Sequence, residues 1–202
     1  MRVTQTCILA LMLALSGTAL AEDVSALAAG CDDCHGGQGV SPHSDVPTIA
    51  GQSAGYLEKT LSAYQRWDRP CIKSRYRGGD TSRPRTDMCQ IAEGMSSADI
   101  EALAAHYSAL PFKAAQQDFD PALADAGSAL HETHCEGCHA QGGKVAGRAP
   151  RIAGQWIPYL RVSLKYVPTG EHLVPPRMEK GITGLSAEEL DSLMNFYASQ
   201  QD

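Results

Sequence analysis

The pentapeptide CDDCH occupies residues 31–35, and a second pentapeptide, CEGCH, occupies residues 135–139. Both follow the pattern Cys-x-x-Cys-His, which is the attachment signature of c-type haem. The spacing suits that chemistry, because two thiols add to the two vinyl groups of one porphyrin and the adjacent imidazole becomes a ligand of the iron. We therefore predict two covalently bound haem c groups, with His35 and His139 as iron ligands. The thioether bonds are predicted at Cys31, Cys34, Cys135 and Cys138.

Two other uses of paired cysteines fit the sequence less well. A zinc site built from two Cys-x-x-Cys pairs usually separates the pairs by ~15 to 20 residues, whereas Cys34 and Cys135 are 101 positions apart. A thioredoxin-like redox pair needs a strand followed by a helix, and no such context is apparent. Neither alternative gives a role to the repeated histidine, so haem attachment is the favoured interpretation.

A second repeat supplies a candidate for the other axial ligand of each iron. Residues 88–100, MCQIAEGMSSADI, match residues 178–190, MEKGITGLSAEEL, at an offset of 90. Met88 and Met178 are therefore equivalent positions, and a thioether sulfur is a soft axial ligand that raises the reduction potential. The remaining histidines are alternatives in principle, but none recurs at matching positions in both halves. They are His43, His106, His131, His134 and His172.

A third repeat lies between the cysteines and the methionines. The sequence PTIAGQ at residues 47–52 recurs as PRIAGQ at residues 150–155, at an offset of 103. A haem-ligating imidazole needs a hydrogen-bond partner for its second ring nitrogen, and a backbone carbonyl often serves. Pro47 and Pro150 are predicted to present that carbonyl.

The N-terminal segment has the features of a secretory signal. Arg2 precedes an apolar run from Cys7 to Leu15, and a sequence of small residues ends at Ala21. Residues 1–21 are predicted to be removed during export to the periplasm. No later segment reaches the ~20 apolar residues of a membrane span, so we expect none after removal of the signal. The formal charge of −6 disfavours binding to nucleic acid.

The periodicity of the mature chain predicts an all-α fold. Ser96 and Ser186 each precede an acid by three residues and then an apolar spacing of three and four, which is typical of N-capped helices. No alternating apolar stretch indicates a strand of useful length. We expect one haem-binding domain at residues 22–112 and another at residues 121–202, joined by a linker at residues 113–120. Helices are predicted at residues 23–29, 56–67, 96–110, 157–165 and 186–199, and from Asp120 toward Cys135.

The first half has 13 more residues than the second between the PTIAGQ repeat and Met88. This segment brings Cys71 near Cys89, and in an oxidising compartment we predict a disulfide between them. A soft-metal site that uses both thiols is the alternative. The segment is also basic, and it either offsets haem propionates as a solvated loop or forms a docking surface for an acidic partner. The segment includes Arg66, Arg69, Lys73, Arg75, Arg77, Arg83 and Arg85.

Together these motifs resemble the dihaem class I cytochromes c, including the cytochrome c4 type. The second half is similar also to the dihaem cytochrome subunit of flavocytochrome c sulfide dehydrogenase. The first half matches that subunit only in its haem motif, in the sequence IAEG at residues 91–94 and in the final helix. The similarity of the second half covers FDPALAD at residues 119–125, the haem motif at 135–139, GGK at 142–144, AGQWIPYL at 153–160, RMEK at 177–180 and FYASQQ at 196–201.

The resemblance implies two tandem class I cytochrome c domains, each wrapped around one covalently attached haem. It also implies an electron-transfer role beside a separate FAD-containing subunit that oxidises sulfide, with electrons passing on to an external cytochrome. The FAD then belongs to the partner alone, since this chain has no dinucleotide-binding glycine pattern after a strand. A free cytochrome c4-like shuttle to a terminal oxidase is the alternative. A self-sufficient enzyme, such as a thiosulfate-oxidising cytochrome, is disfavoured because two axial methionines leave no open iron site.

Overall fold

The computed structural model describes residues 18–202, in which α-helices are the dominant regular structure. Within this range, extended backbone pairs only at an isolated bridge between Ser74 and Thr86, so the all-α prediction is confirmed. Most of the predicted signal segment, residues 1–17, lies outside the described residues. The α-helices are α1 (Thr18–His35), α2 (Ala54–Gln65), α3 (Met88–Glu93), α4 (Ser97–Ser108), α5 (Pro121–His134), α6 (Ile157–Lys165), α7 (Pro176–Thr183) and α8 (Ala187–Ser199).

Side-chain caps begin three of these helices where the sequence predicts them. In α4 the Ser96 hydroxyl accepts from the Asp99 backbone N–H at 3.1 Å, and the Asp99 carboxylate accepts from the Ser96 N–H at 2.8 Å. The start of α8 repeats this capping box with Ser186 and Glu189. Asp120 caps α5 through the Ala122 N–H at 2.8 Å. These short-range bonds satisfy backbone donors that have no partner inside a helix, so the helix starts are set locally.

Helix α1 is longer than the sequence predicts. The expected helix ends at residue 29, whereas α1 continues through Gly30 and includes the whole first haem motif. It stops before Gly36, whose φ of +77° leaves the helical region. A single glycine inside a helix costs only about 1 kcal/mol, which the packing of the helix can outweigh. The first residue that cannot continue the helix therefore sets its end.

In each half, the helix that contains or leads into the haem motif packs against the last helix of that half. Ala28 of α1 lies in a core with Leu103 and Tyr107 of α4. Helix α5 approaches α8 more closely, because Gly127 presents no Cβ to it; a Cβ built there would lie 2.1 Å from the Ser192 carbonyl oxygen. The core of the second half consists of Leu160, Leu193, Met194, Phe196 and Tyr197.

The chain between the haem motif and the middle helix folds in the same way in both halves. The Gly39 carbonyl accepts from the N–H groups of residues 49 and 50, at 2.8 and 3.1 Å. Its counterpart Gly143 accepts from residues 152 and 153, at 3.0 and 3.1 Å. Both glycines have φ above +70°, which disfavours any residue with a side chain. The repeat seen in the sequence is therefore a structural repeat.

The two halves meet through a reciprocal pair of glutamines. Gln155 accepts from the Thr48 N–H and donates to the Thr48 carbonyl, each at 2.9 Å. Gln52 makes the same two bonds with the backbone of Arg151, again at 2.9 Å each. Because Gln52 and Gln155 are equivalent in the repeat, as are Thr48 and Arg151, these contacts relate the halves by an approximate two-fold axis.

The segment that joins the halves packs on the second one. Residues 111–120 have no regular secondary structure. Gln117 donates to the Gln155 carbonyl at 2.8 Å and accepts from the Ile157 N–H at 3.0 Å.

Of the helices in residues 18–202, none has the length and apolar character required to cross a membrane.

Candidate haem sites

The first haem motif forms the C-terminal turn of α1. His35 is buried, and its Nδ1 donates to the Pro47 carbonyl at 2.9 Å. Cys31 and Cys34 are three residues apart on the helix, so they share a face, and both thiols are free. The sequence prediction that Pro47 holds the imidazole is confirmed.

The second motif follows directly after α5. Cys135 is the C-cap of this helix, and the chain turns so that His139 is buried. Nδ1 of His139 donates to the Pro150 carbonyl at 3.0 Å, which confirms the corresponding prediction. Cys135 and Cys138 are also free. Both halves therefore combine two free thiols with a buried, oriented imidazole.

The electrostatics of both imidazoles suit coordination of a metal. Burial lowers the pKa of His35 and of His139, and the hydrogen bond to the prolyl carbonyl offsets this only in part. Each ring is therefore neutral near pH 7, with its proton on Nδ1. No group in residues 18–202 hydrogen-bonds to Nε2 of either ring. That nitrogen therefore has a free lone pair with which it could bind a metal ion.

The acid that follows the first cysteine of each motif fixes the next turn. The Asp32 carboxylate accepts from the backbone N–H groups of Gln38 and Gly39, each at 3.0 Å, and from the Tyr107 hydroxyl at 2.9 Å. In the second motif the Glu136 carboxylate accepts from the N–H groups of residues 141 and 142, at 2.7 and 3.0 Å. These bonds hold the pKa of Glu136 below its usual range. Both motifs carry an acid in their second position, and this repeat is the sequence signal that could have predicted the bond to the next turn.

A buried histidine extends this network in the second half only. His131 is 2% exposed. Its Nδ1 lies 3.0 Å from the Tyr197 hydroxyl, and its Nε2 lies 2.8 Å from the Glu136 carboxylate. Both ring nitrogens are therefore occupied by protein groups. This leaves no lone pair with which His131 could ligate an iron.

The candidate methionines occupy two short helices that the sequence analysis did not predict. Met88 is the first residue of α3, which Asp87 caps through the Gln90 N–H at 2.9 Å. Met178 lies in the first turn of α7. Both helices end at a glycine two residues before the serine that caps the next helix, so the offset of 90 is kept in the structure. Both methionines are partly buried.

The extra segment of the first half folds back onto the first haem motif. The backbone N–H groups of Arg77 and Gly78 donate to the Asp33 carbonyl at 2.8 and 2.7 Å. The guanidinium of Arg83 pairs with the Asp33 carboxylate, and Arg77 pairs with Asp45 at 2.5 Å. Several of the cations on this segment are thus already paired with carboxylates of the same chain. The unpaired positive charge of this segment is therefore smaller than the sequence suggests.

The disulfide candidates lie beside the start of α3. The structure joins Cys71 to Cys89, with their Cα atoms 5.6 Å apart, which lies within the usual range for a disulfide. The Asp87 carboxylate is near enough to complete a three-ligand metal cluster with them. However, that carboxylate already accepts from the Gln90 N–H and pairs with Lys73 at 2.8 Å. The geometry therefore suits a disulfide better than a metal site.

One buried group tests whether the protein is built to hold haem. Nε of Arg69 is buried and has no hydrogen-bond partner, and it is the one such side-chain atom among the residues described. The guanidinium lies 5.2 Å from the centre of the Tyr64 ring, and no carboxylate of the described chain forms an ion pair with it. Arg69 as a whole is partly buried, and a cation whose buried nitrogen has no partner is costly without an anion nearby. Haem carries two propionate carboxylates, so the residues present fit an anionic group of this kind.

Comparisons with known proteins agree with this architecture. No protein-family model matches the chain. Cytochrome c4 of Stutzerimonas stutzeri is 30% identical over 169 residues, which cover 75% of this chain and 77% of that protein. Cytochrome c4 of Azotobacter vinelandii is 28% identical over 170 residues, 76% of this chain and 78% of that protein.

Solved structures give the same result. The structure of reduced recombinant cytochrome c4 from Pseudomonas stutzeri has a TM-score of 0.70 and 26% identity, and the match covers 89% of this chain and 98% of that chain. Thiosulfate dehydrogenase (TsdBA) from Marichromatium purpuratum has a TM-score of 0.66 and 28% identity. That match covers 84% of this chain but 36% of the longer chain.

The fold and the two haem motifs define a dihaem class I cytochrome c. The chain belongs to the cytochrome c4 family. Its cofactor is haem c, and its role is electron transfer.

Proposed function

We propose that this chain is a periplasmic electron carrier with one covalently attached haem c in each half. The domains are residues 22–112 and 121–202, with the linker at 113–120 and the signal at 1–21. Haem supplies one-electron oxidation and reduction when it is bound. The observation that carries the proposal is the double occurrence of one arrangement: a free Cys-x-x-Cys pair beside a buried histidine whose Nδ1 donates to a prolyl carbonyl. The thiols of Cys31, Cys34, Cys135 and Cys138 form the thioether bonds.

The proposed axial ligands are His35 with Met88 and His139 with Met178. The anchored Nδ1 atoms leave Nε2 of each histidine available. The methionines keep their offset of 90 in the helices that carry them. Of the competing histidines, His131 is unsuitable, since both of its ring nitrogens are already hydrogen-bonded.

We also propose that Cys71 and Cys89 form a disulfide in the exported protein. Cys89 is fully buried and directly follows Met88. The cross-link then attaches the segment carrying the methionine to the extra segment that covers the first haem motif. Its role is to hold the ligand of the first haem in place.

The proposed electron donor is a separate FAD-containing subunit of a sulfide dehydrogenase, and the acceptor is an external cytochrome c. Support for this donor comes from the sequence of the second half, which is similar to the cytochrome subunit of that enzyme. The chemistry also favours a flavin partner. Sulfide oxidation delivers electrons in pairs, and a flavin can accept two electrons and release them singly. Two irons with six ligands each offer sulfide no coordination site of their own.

A free shuttle is the second candidate function. The observation in its favour is that cytochromes c4 match this chain over both halves, with 77% of the S. stutzeri protein covered. In this case the chain would carry electrons to a terminal oxidase without a flavoprotein subunit.

Stopped-flow reduction distinguishes the two functions. The chain is purified from its native host, and any flavin-containing polypeptide that accompanies it is isolated. Haem reduction by sulfide is then followed for the cytochrome alone and for the reconstituted pair at equal sulfide concentration. Rapid reduction only in the pair supports the subunit function. Equal rates, or no flavoprotein that binds at micromolar concentration, would refute it in favour of the shuttle.

A further inference from the structure

Each haem-ligating histidine is connected to the opposite half of the protein through one peptide group. The Pro47 carbonyl accepts from His35 Nδ1 at 2.9 Å. The N–H of the same peptide group belongs to Thr48, and it donates to Oε1 of Gln155 at 2.9 Å. The side chain of Gln155 belongs to the second half, so the hydrogen-bonded chain crosses the interface.

The second half contains the reciprocal connection. His139 Nδ1 donates to the Pro150 carbonyl at 3.0 Å. The N–H of that peptide group belongs to Arg151, and it donates to Oε1 of Gln52 at 2.9 Å. Two identical three-group chains therefore run in opposite directions across the interface.

The amide orientation of each glutamine is fixed by a second bond. Nε2 of Gln155 donates to the Thr48 carbonyl, and Nε2 of Gln52 donates to the Arg151 carbonyl, each at 2.9 Å. A flipped amide would place oxygen against a carbonyl and NH₂ against an N–H. Thr48, Gln52 and Gln155 are 2%, 4% and 3% exposed, so bulk water does not replace the bonds of Thr48 when Gln155 is removed. Arg151 is partly buried.

Such a chain has an electronic consequence. A peptide group that donates through its N–H becomes a better acceptor at its carbonyl, by about 10–30% per bond. A better acceptor draws the Nδ1 proton more strongly and makes the imidazole a more basic ligand. A more basic ligand stabilises the ferric iron and lowers the reduction potential.

We propose that Gln155 tunes the reduction potential of the first haem and that Gln52 tunes the potential of the second. Each glutamine is a positioning residue that acts on the haem of the opposite half through a prolyl peptide group. The inference rests on the proposed ligation by His35 and His139. The contact between the two halves would then help to determine the reduction potentials of both haems.

The test replaces each glutamine by methionine, which has a similar volume and no amide. In Gln155→Met the first haem should become easier to reduce. A weakening of one hydrogen bond by about 20% corresponds to about a twofold change in the ratio of ferrous to ferric haem at fixed potential. For a one-electron couple, a twofold change is about 18 mV. Gln52→Met should shift the second haem in the same direction.

Two measurements assign the effect to the correct haem. A redox titration monitored by proton NMR resolves the methyl resonances of each ferric haem. These resonances are assigned to one haem or the other by their proximity to Met88 or Met178. In the ferrous protein, the His35 Nδ1–H resonance should move upfield in Gln155→Met, and the His139 resonance should move in Gln52→Met. A purely structural role would not produce this crossed pattern.

Gln117→Met is the matched control, because Gln117 also bonds two backbone groups at the junction but neither prolyl peptide. The inference is overturned if Gln155→Met shifts the second haem alone, shifts both haems equally, or changes the first no more than the control. If one variant fails to incorporate haem, the reciprocal variant still tests the inference on the other half. A wild-type protein with fewer than two haems, or without His/Met ligands, would refute the proposed function instead.

Discussion

The close approach of α5 and α8 predicts a large cost for the smallest possible side chain at Gly127. A Cβ at this position would lie 2.1 Å from the Ser192 carbonyl oxygen and 2.8 Å from the Phe196 Cβ. Ordinary contacts of a Cβ begin near 3.4 Å, so the two helices would have to separate by about 1 Å. Overpacking of this kind costs about 1–3 kcal/mol. The upper end applies here because the obstacle is backbone, whereas the gain in helix propensity from Gly to Ala recovers only about 1 kcal/mol.

We therefore expect Gly127→Ala to destabilise the second half by about 2 kcal/mol, which is about 4–8 °C in Tm for a chain of this size. The matched control is Gly30→Ala, since Gly30 also lies inside a helix and a Cβ there meets nothing within 4 Å. That control should gain up to about 1 kcal/mol. Urea unfolding of the haem-loaded protein, followed by circular dichroism, measures both. Equal stability of the two variants would refute the close packing of α5 on α8.

Two further predictions concern the cross-link and the acid sensitivity. Double replacement of Cys71 and Cys89 by serine should destabilise the first half by about 3 kcal/mol, since the bridge spans 18 positions. Mass spectrometry of unreduced wild-type peptides should find the two cysteines linked. Two freely alkylated thiols would contradict the disulfide. The N–H groups of residues 142 and 141 lower the pKa of Glu136, so its stabilising effect is present above about pH 4.3 and is lost as the pH falls through the lowered pKa. Glu136→Gln should therefore flatten the loss of stability of the second half as the pH falls below about 4.3 in urea titrations, and an unchanged pH profile would count against this role.

Features set by neighbouring residues in the chain were predictable from the sequence. The capping boxes at Ser96 and Ser186 depend on residues three positions apart, and the structure contains both. The hydrogen bonds to Pro47 and Pro150 were also predicted, because a repeat placed the same residue at a short distance after each motif. When the two partners of a hydrogen bond are close in the chain, few other conformations can satisfy them.

Features that depend on long-range contact were not predictable. Gln52 and Gln155 are visible as a repeat, but their reciprocal pairing requires the relative placement of the halves. The network at His131 has no counterpart in the first half, so a search for repeats passes over it. The charges of the extra segment could be read from the sequence, but its ion pairs could not. Asp33, for example, is 50 positions from its partner Arg83. Tertiary packing alone brings these groups together.

The most direct test of the proposed haem ligation is the weak near-infrared absorption of ferric haem that reports a sulfur–iron bond. The wild-type protein should show this band with two equivalents per chain, and Met178→Ala should remove about half of it. Met95→Leu is the matched control and should keep the full band, because Met95 stands where the second half has Leu185. A bis-histidine spectrum at either haem, or a full band in Met178→Ala, would contradict the account.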